Sequence, residues 1–507
     1  MDYRSNQYNP FTSASPFRQL STLKLPSLER NRSSEVRASS RRAEHALRAG
    51  YADLLIIGNG IAGLATAVEA RQYAPDAEIV IITEQNHPTI NTPALKQFGA
   101  GLLQVEQLLA YPPGTERELG IGVINTRAER LNTTTRQVQL AGGATIKYGR
   151  LLLATGAHPS ALPQNCPGRS FDGVLTLHRL EDYLDLRRRL PGVSTVVVIG
   201  SGFHAAETAM MLHYWGVQVT WLIRGSSILS RQVDEPASEV LLQHIKRSGI
   251  NIRLETELAG VVGRIGSVAG IVTTDNEFLP CQLVLACIGT APAVSLAQGT
   301  SVALNIRNGL KVNERLQTAV SDIYAAGDVA SVLDPQTGHH QPRAQWYSAF
   351  QQGRVAAAAL TGAAFPAEAR SSVLGCFWHA TQLGDLSILI AGAPLLTERD
   401  HRDNQVLTNG SSHFQRRIVV RNNRLVGYMA VGPRRASGGL AIKRLIDEQI
   451  DIREIKRQLL TEDFDVRSFL VNRRLSALQT GNVGRAAASA RASERPSKRQ
   501  QFQPAFS

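Results

Sequence analysis

Short apolar runs, each closed by a glycine-rich or polar turn, recur along the chain from residue 51 onward. Leu54–Ile57 has no polar face, which predicts a strand buried on both sides, as in a parallel sheet. A helix is predicted over Leu64–Tyr73, then a second apolar strand over Ala77–Thr83. Gly122–Thr126 and Gln137–Leu140 predict short strands, and Leu151–Leu153 opens a buried strand that ends in Ala154-Thr155-Gly156. The order of strand, turn and helix restarts at Val196–Ile199, with a following strand over Val217–Ile223. Leu283–Gly289 and Ile323–Ala326 read as further buried strands, and Trp346–Leu360 as an Ala-rich helix. Cys376–Ala391 and Phe414–Val431 have the pattern of hairpins, the second turning at Arg421-Asn422-Asn423-Arg424. Leu440–Gln449 and Ile452–Leu460 predict two more helices. Strands alternating with helices place the chain in the α/β class. No run of about 18 apolar residues is present, so no transmembrane helix is expected.

The turns carry the chemistry. Gly58-Asn59-Gly60-Ile61-Ala62-Gly63 follows a strand and opens a helix. In a G-x-G-x-x-G turn the first glycine allows the tight bend, the second lets a pyrophosphate approach the backbone, and the third lets helix and strand pack closely. The helix N-terminus then holds the anion. Glu84 closes the next strand, where a carboxylate can accept the ribose hydroxyls of an adenosine. Gly200-Ser201-Gly202-Phe203-His204-Ala205 is a second such turn, with alanine in the third place. Its next strand ends in Arg224 instead of an acid. Gly289 ends one later strand, and Gly327-Asp328 puts a carboxylate at the end of another, where open α/β sheets bind ligands.

Composition alters this picture little. The chain has 507 residues, 43% hydrophobic and 19% charged, ordinary for a globular protein. Its net charge of +13 suggests nucleic acid, but the charge is uneven. Residues 1–50 hold nine basic and four acidic residues, residues 476–507 hold five and one, and residues 51–475 carry only +4. Solvated basic tails account for most of the excess, and nucleic-acid binding is not expected. Cys166, Cys281, Cys287 and Cys376 form no close pair, which points to reduced thiols and a cytoplasmic location.

Together these motifs, with Trp346-Tyr347-Ser348-Ala349-Phe350-Gln351-Gln352-Gly353, resemble the two-dinucleotide-binding-domain flavoproteins. The resemblance is to the branch of rubredoxin and ferredoxin reductases, nitrite reductase flavin subunits and apoptosis-inducing factors. It covers roughly residues 52–470. It implies an FAD-binding Rossmann-like domain, an inserted NAD(P)-binding Rossmann-like domain and a C-terminal α+β interface domain. The boundaries expected are a disordered leader at 1–50, FAD domain at 51–165, NAD(P) domain at 166–280, FAD domain again at 281–364, interface domain at 365–475 and a basic tail at 476–507.

On this resemblance FAD is held by Gly58, Gly60, Ile61, Ala62, Gly63, Glu84, Ala154, Thr155, Gly156, Gly327 and Asp328. NADPH or NADH is held by Gly200, Gly202, Phe203, His204, Arg224, Arg231 and Gly289. Arg224 and Arg231 suit a 2′-phosphate and tilt the choice toward NADPH; as solvated surface arginines they would leave it open. The chemistry implied is hydride transfer from nicotinamide to flavin N5, with electrons passed to a separate acceptor such as a ferredoxin or rubredoxin-type iron–sulfur protein or a nitrite reductase component. An NAD(P)H oxidase, a quinone reductase and a redox-sensing interaction protein are the alternatives. Residues 85–101 contain no cysteine, which disfavours a thiol relay beside the flavin. Family members often carry Arg-Pro and then a lysine paired with the glutamate of the second fingerprint; here Thr92 and Gln97 fill those places. Lys96, next to Gln97, is the candidate partner of Glu207, and Trp346 is the candidate to lie against the flavin or nicotinamide. A homodimer through the C-terminal domain is also implied.

Overall fold

The computed structural model describes residues 37–38, 41–302, 308–334, 338–364, 375–395, 403–433 and 438–479. The expected basic leader up to residue 36 and the tail from residue 480 lie outside the described residues.

The chain enters through β1 (Arg37–Ala38) and α1 (Arg41–Ala49), followed by β2 (Tyr51–Ile57), α2 (Ile61–Tyr73) and β3 (Ile79–Thr83). Two short helices, α3 (Leu95–Gly99) and α4 (Thr115–Glu118), precede β4 (Gly122–Asn125), β5 (Ala128–Asn132), β6 (Gln137–Leu140) and β7 (Thr145–Leu153). β2, β3, β4 and the end of β7 run parallel, and Leu54–Ile57, Ile79–Ile82 and Leu151–Leu153 are buried, as the unbroken runs predict. The leader was expected to run to residue 50, but α1 packs on this sheet with Ala43 and Ala46 fully buried. Small side chains let the helix settle on Gly122, where a β-carbon would lie 3.0 Å from the Ala43 nitrogen.

β8 (Ala157–Pro159) leads out to an inserted unit: β9 (Val174–Leu175), α5 (Leu180–Arg189), β10 (Thr195–Ile199), α6 (Phe203–Tyr214), β11 (Gln218–Leu222), α7 (Glu235–Arg247) and β12 (Asn251–Arg253). An antiparallel ribbon of β13 (Leu258–Arg264), β14 (Ser267–Thr273) and β15 (Phe278–Pro280) follows, then β16 (Leu283–Ala286). The parallel sheet order is β12-β11-β10-β16-β9. β16 was expected to open the return to the first domain at residue 281. It pairs instead with β10, Val196 to Leu283 through Ile199 to Ala286, so the insertion extends past it. The chain returns along β17 (Thr290–Pro292), which pairs antiparallel with β8, so the two crossings between the domains brace one another.

The first sheet is completed after β18 (Leu310–Lys311) by β19 (Ile323–Ala325), parallel to β7. β20 (Ala330–Leu333), β21 (His340–Pro342) and the helix α8 (Trp346–Thr361) follow. A C-terminal antiparallel sheet, ordered β22-β23-β26-β25-β24, comprises β22 (Trp378–Leu383), β23 (Leu386–Gly392), β24 (Gln405–Gly410), β25 (Gln415–Arg421) and β26 (Arg424–Gly432). α9 (Gly439–Asp447) and α10 (Val466–Gln479) close the domain. The hairpin turn falls at Asn422-Asn423, both with positive φ. Ile452–Leu460 was expected to be helical. It forms turns ending in a helical turn at Gln458–Leu460, because Ile452 is tied back to the Asn423 carbonyl and Lys456 to the Asn423 side chain. One apolar core joins α3, α5, α6 and the faces of β23 and β26, so the C-terminal sheet is seated on the inserted domain.

Candidate functional site

The first glycine turn has the form its spacing predicts. Gly58 has φ +109°, and a β-carbon there would fall 2.2 Å from the Ala154 carbonyl oxygen. One on Gly63 would fall 2.0 Å from the Gly58 oxygen. Gly60 differs: it caps α2 in an extended conformation and a β-carbon would meet nothing within 4 Å. The space above Gly60 is therefore open, and no side chain caps the helix. The first N–H groups of α2, from Ile61, Ala62 and Gly63, lack intrahelical acceptors and point toward that space. Across it stand Ala154, the Thr155 side chain on the Ala293 carbonyl at 2.7 Å, and Gly156 with φ +73° and open space above it.

Gly327 donates its N–H to Gln352 Oε1 at 2.7 Å, which fixes the turn beside Ala62. Burial pushes the neighbouring Asp328 carboxyl up to about 6. Glu84 stands at the end of β3, exposed, 3.8 Å from Arg127. An open cradle over a helix N-terminus, with a carboxyl group at each side, fits a dinucleotide such as FAD.

The second turn repeats the construction. Gly200 has φ +136°, and a β-carbon would lie 2.2 Å from the Cys287 oxygen; Trp221 donates to the Gly200 carbonyl at 2.6 Å. Gly202 caps α6 with open space above it, and Gly289 is equally open. Ala205 is fully buried in the third position. These residues fit a nicotinamide dinucleotide. Arg224 and Arg231 are exposed, and Arg224 lies 3.9 Å from Glu257.

One turn along α6 from Gly202, Glu207 Oε2 meets Lys96 Nζ at 3.1 Å. The pairing follows from helix packing. Gly99, three residues after Lys96, approaches Met211, four residues after Glu207, so closely that a β-carbon would lie 2.3 Å from the sulfur. Trp215 donates to the Gly99 carbonyl at 2.6 Å. Side chains one turn earlier on each helix then face one another. Gln97 is exposed, and the lysine that meets Glu207 is Lys96.

Burial works against the Lys96 ammonium, but Tyr183, Glu207 and Cys287 outweigh it and hold it above the usual lysine range. Burial likewise works against the Glu207 carboxylate; Lys96, His379 and the Thr381 hydroxyl outweigh it and hold the carboxyl below its ordinary value. Burial pushes the Tyr183 hydroxyl up to about 12. His204, expected at the pyrophosphate, has its ring turned inward: burial and Lys96 lower it to about 4, and Nε2 is buried without a hydrogen-bond partner. Trp346 opens α8 and stacks on Phe350 at 6.0 Å, against the core of the first domain.

Two contacts of this cluster have no sequence motif. Thr381 Oγ1 donates to Glu207 Oε1 at 2.7 Å, and His379 stacks on Phe203 with ring centroids 4.0 Å apart. Both come from β22. Their spacing of two is the only trace they leave in the sequence, and any strand has it.

Two Rossmann-like units, one inserted in the other and each with a glycine cradle, define a two-dinucleotide oxidoreductase. Residues 52–353 match the pyridine nucleotide-disulphide oxidoreductase family, and the chain belongs to it. It is an FAD-dependent NAD(P)H oxidoreductase. Its four cysteines are free.

The chain is 31% identical over 283 residues to ferredoxin–NAD(P)(+) reductase of a Sphingomonas species, covering 55% of this chain and 67% of the relative. It is 28% identical over 317 residues to rubredoxin-NAD(+) reductase of Pseudomonas putida, covering 62% and 81%. The structure is similar to a ferredoxin reductase from Rhodopseudomonas palustris, with TM-score 0.71 and 26% identity over 82% of this chain and 99% of that one.

Proposed function

We propose that this chain passes electrons from NADH or NADPH through FAD to a small iron–sulfur protein of the ferredoxin or rubredoxin type. The observation that carries the reading is the Lys96–Glu207 pair, joining α3 to the helix that starts at the second of two open glycine cradles. The curated relatives named as reductases of ferredoxin and rubredoxin support the acceptor class.

When bound, FAD would supply the chemistry of hydride acceptance from nicotinamide and one-electron release. The protein supplies position and charge. Gly58, Gly60 and Gly63 with the start of α2 would hold the FAD pyrophosphate, and Glu84 and Asp328 would hold its sugar alcohols. Gly200, Gly202 and the start of α6 hold the nicotinamide dinucleotide. Glu207 keeps Lys96 oriented and protonated, and the ammonium would offer a fixed positive charge to a reduced flavin. Four free cysteines suit a reducing compartment such as the cytoplasm. Among the described residues no helix is long and apolar enough to cross a membrane.

The test is anaerobic stopped-flow mixing with each nucleotide, followed by addition of an oxidised ferredoxin or rubredoxin. The flavin band should bleach within milliseconds to seconds and return when the acceptor is added. A band that neither nucleotide bleaches overturns the reading. Rapid return with oxygen or a quinone, but none with the iron–sulfur protein, reassigns the acceptor.

A further inference from the structure

The Lys96–Glu207 pair has a third wall. Lys96 comes from α3, Glu207 from α6, and the remaining contacts come from the C-terminal sheet. On β22, His379 and Thr381 alternate with Ala380 and so share one face. The carboxylate of Glu207 is divided between two partners: Lys96 Nζ holds Oε2 at 3.1 Å, and Thr381 Oγ1 holds Oε1 at 2.7 Å. His379 Nε2 lies 4.0 Å from Oε1, buried and without a hydrogen-bond partner, while its ring covers Phe203. Phe203 is the first helical residue after Gly202, at the mouth of the nicotinamide cradle.

β22 is itself held from both ends. Gln345 donates to the Trp378 carbonyl, and His244 of the inserted domain lies 3.1 Å from the Leu383 carbonyl oxygen. Leu383 is fully buried. The threonine hydroxyl is thus delivered to Glu207 by a strand with little freedom to withdraw.

We infer that Thr381 is a positioning residue of the hydride-transfer site: its hydroxyl fixes one oxygen of Glu207 so that the other stays on Lys96. This rests on the function proposed above. A carboxylate with only one partner can rotate about its last bond, and each rotation moves the acceptor away from the ammonium. A second donor removes that freedom and favours the ionised form. The groups that face Glu207 are Lys96 from α3, Thr381 and His379 from β22 and His204 from its own helix; Tyr183 of α5 and Cys287 lie beside Lys96. Burial lowers both histidines, His204 to about 4.

The experiment uses the FAD-loaded protein and its Thr381→Val and Thr381→Ser variants. Valine keeps the shape and removes the donor; serine keeps the donor. One readout is the pH dependence of the flavin reduction rate. The other needs no turnover: the His379 imidazole resonance senses the charge on Glu207 and steps where that carboxyl titrates. In Thr381→Val both the acid limb and the step should move up by about one pH unit, the scale of one charge-assisted hydrogen bond. Thr381→Ser should restore both. Thr381→Ala serves as the donor-free variant if the valine protein does not retain flavin. Profiles and steps that stay at the wild-type pH without the hydroxyl overturn the inference, and so does a serine variant that behaves like valine. Wild-type flavin that neither nucleotide reduces overturns the oxidoreductase reading instead, and the resonance step still decides the Thr381 contact.

Discussion

Gly353 on α8 lies so close to α2 that a β-carbon would fall 2.6 Å from the Ala62 carbonyl oxygen. The Gly353 carbonyl in turn accepts from Thr66 Oγ1 at 3.0 Å. This contact sets the height of the α2 N-terminus beneath the proposed FAD pyrophosphate. Gly353→Ala should cost about 1–3 kcal/mol through overpacking and lower the flavin bound per chain. Thermal melting and the flavin-to-protein absorbance ratio check it; an unchanged pair of values refutes it.

The three glycines of the first turn should fail in different ways. Gly58→Ala and Gly63→Ala place a β-carbon 2.2 and 2.0 Å from backbone oxygens, so the strand–helix junction cannot close. Gly60→Ala has open space and an ordinary φ of −74°. It should fold with near-normal circular dichroism yet bind FAD weakly, because its methyl group enters the cradle. Normal flavin retention by Gly60→Ala would place the cofactor elsewhere.

Glu207→Gln leaves Lys96 without its carboxylate. Breaking a fully buried ion pair costs about 3–5 kcal/mol; Lys96 is partly exposed, so about 2 kcal/mol is expected. Flavin reduction should slow by about tenfold, equivalent to ~1.4 kcal/mol of barrier. Urea denaturation and single-turnover kinetics measure the two effects separately.

Stability should fall in mild acid. Burial lowers His178, His204 and His379, with His204 reaching about 4. The folded chain keeps these rings neutral, whereas unfolded histidines take up protons near pH 6.5. Their contribution is complete above about pH 6.5 and is lost as pH falls toward the lowered folded values. Urea midpoints should therefore drop between about pH 7 and pH 5, and His204→Asn should reduce the drop. A midpoint that rises over this interval contradicts the assignment.

The choice of nucleotide should respond to Glu257. It sits 3.9 Å from Arg224 and competes with a 2′-phosphate for the guanidinium. Glu257→Gln should raise the NADPH-to-NADH ratio of kcat/KM by roughly fivefold, about 1 kcal/mol, and Arg224→Gln should lower it. Equal effects on both nucleotides would remove this pair from the 2′ site.

The glycine turns were legible because each does something only glycine can do: Gly58, Gly63 and Gly200 allow backbone contacts that any side chain would block. The Lys96–Glu207 pair needed the family resemblance to be suspected, since nothing local links two residues on separate helices. The sheet to which β16 belongs is not legible, because Leu-Val-Leu-Ala is apolar on both faces and fits any buried parallel position. α1 was missed because its arginines dominate the composition while its buried contacts are made by alanines. Thr381 and His379 were invisible for a different reason. Their role is set by where the C-terminal sheet is seated on α6, and such tertiary docking leaves no period in the sequence.

The contact between α2 and α8 also dictates an order of events during synthesis. The first glycine turn leaves the ribosome early, but the helix that sets its height ends at Thr361, and the threonine that steadies Glu207 follows on β22. A nascent chain short of Gly353 has a fingerprint and no finished cradle. Capture of the cofactor must therefore wait until about two-thirds of the chain has been made.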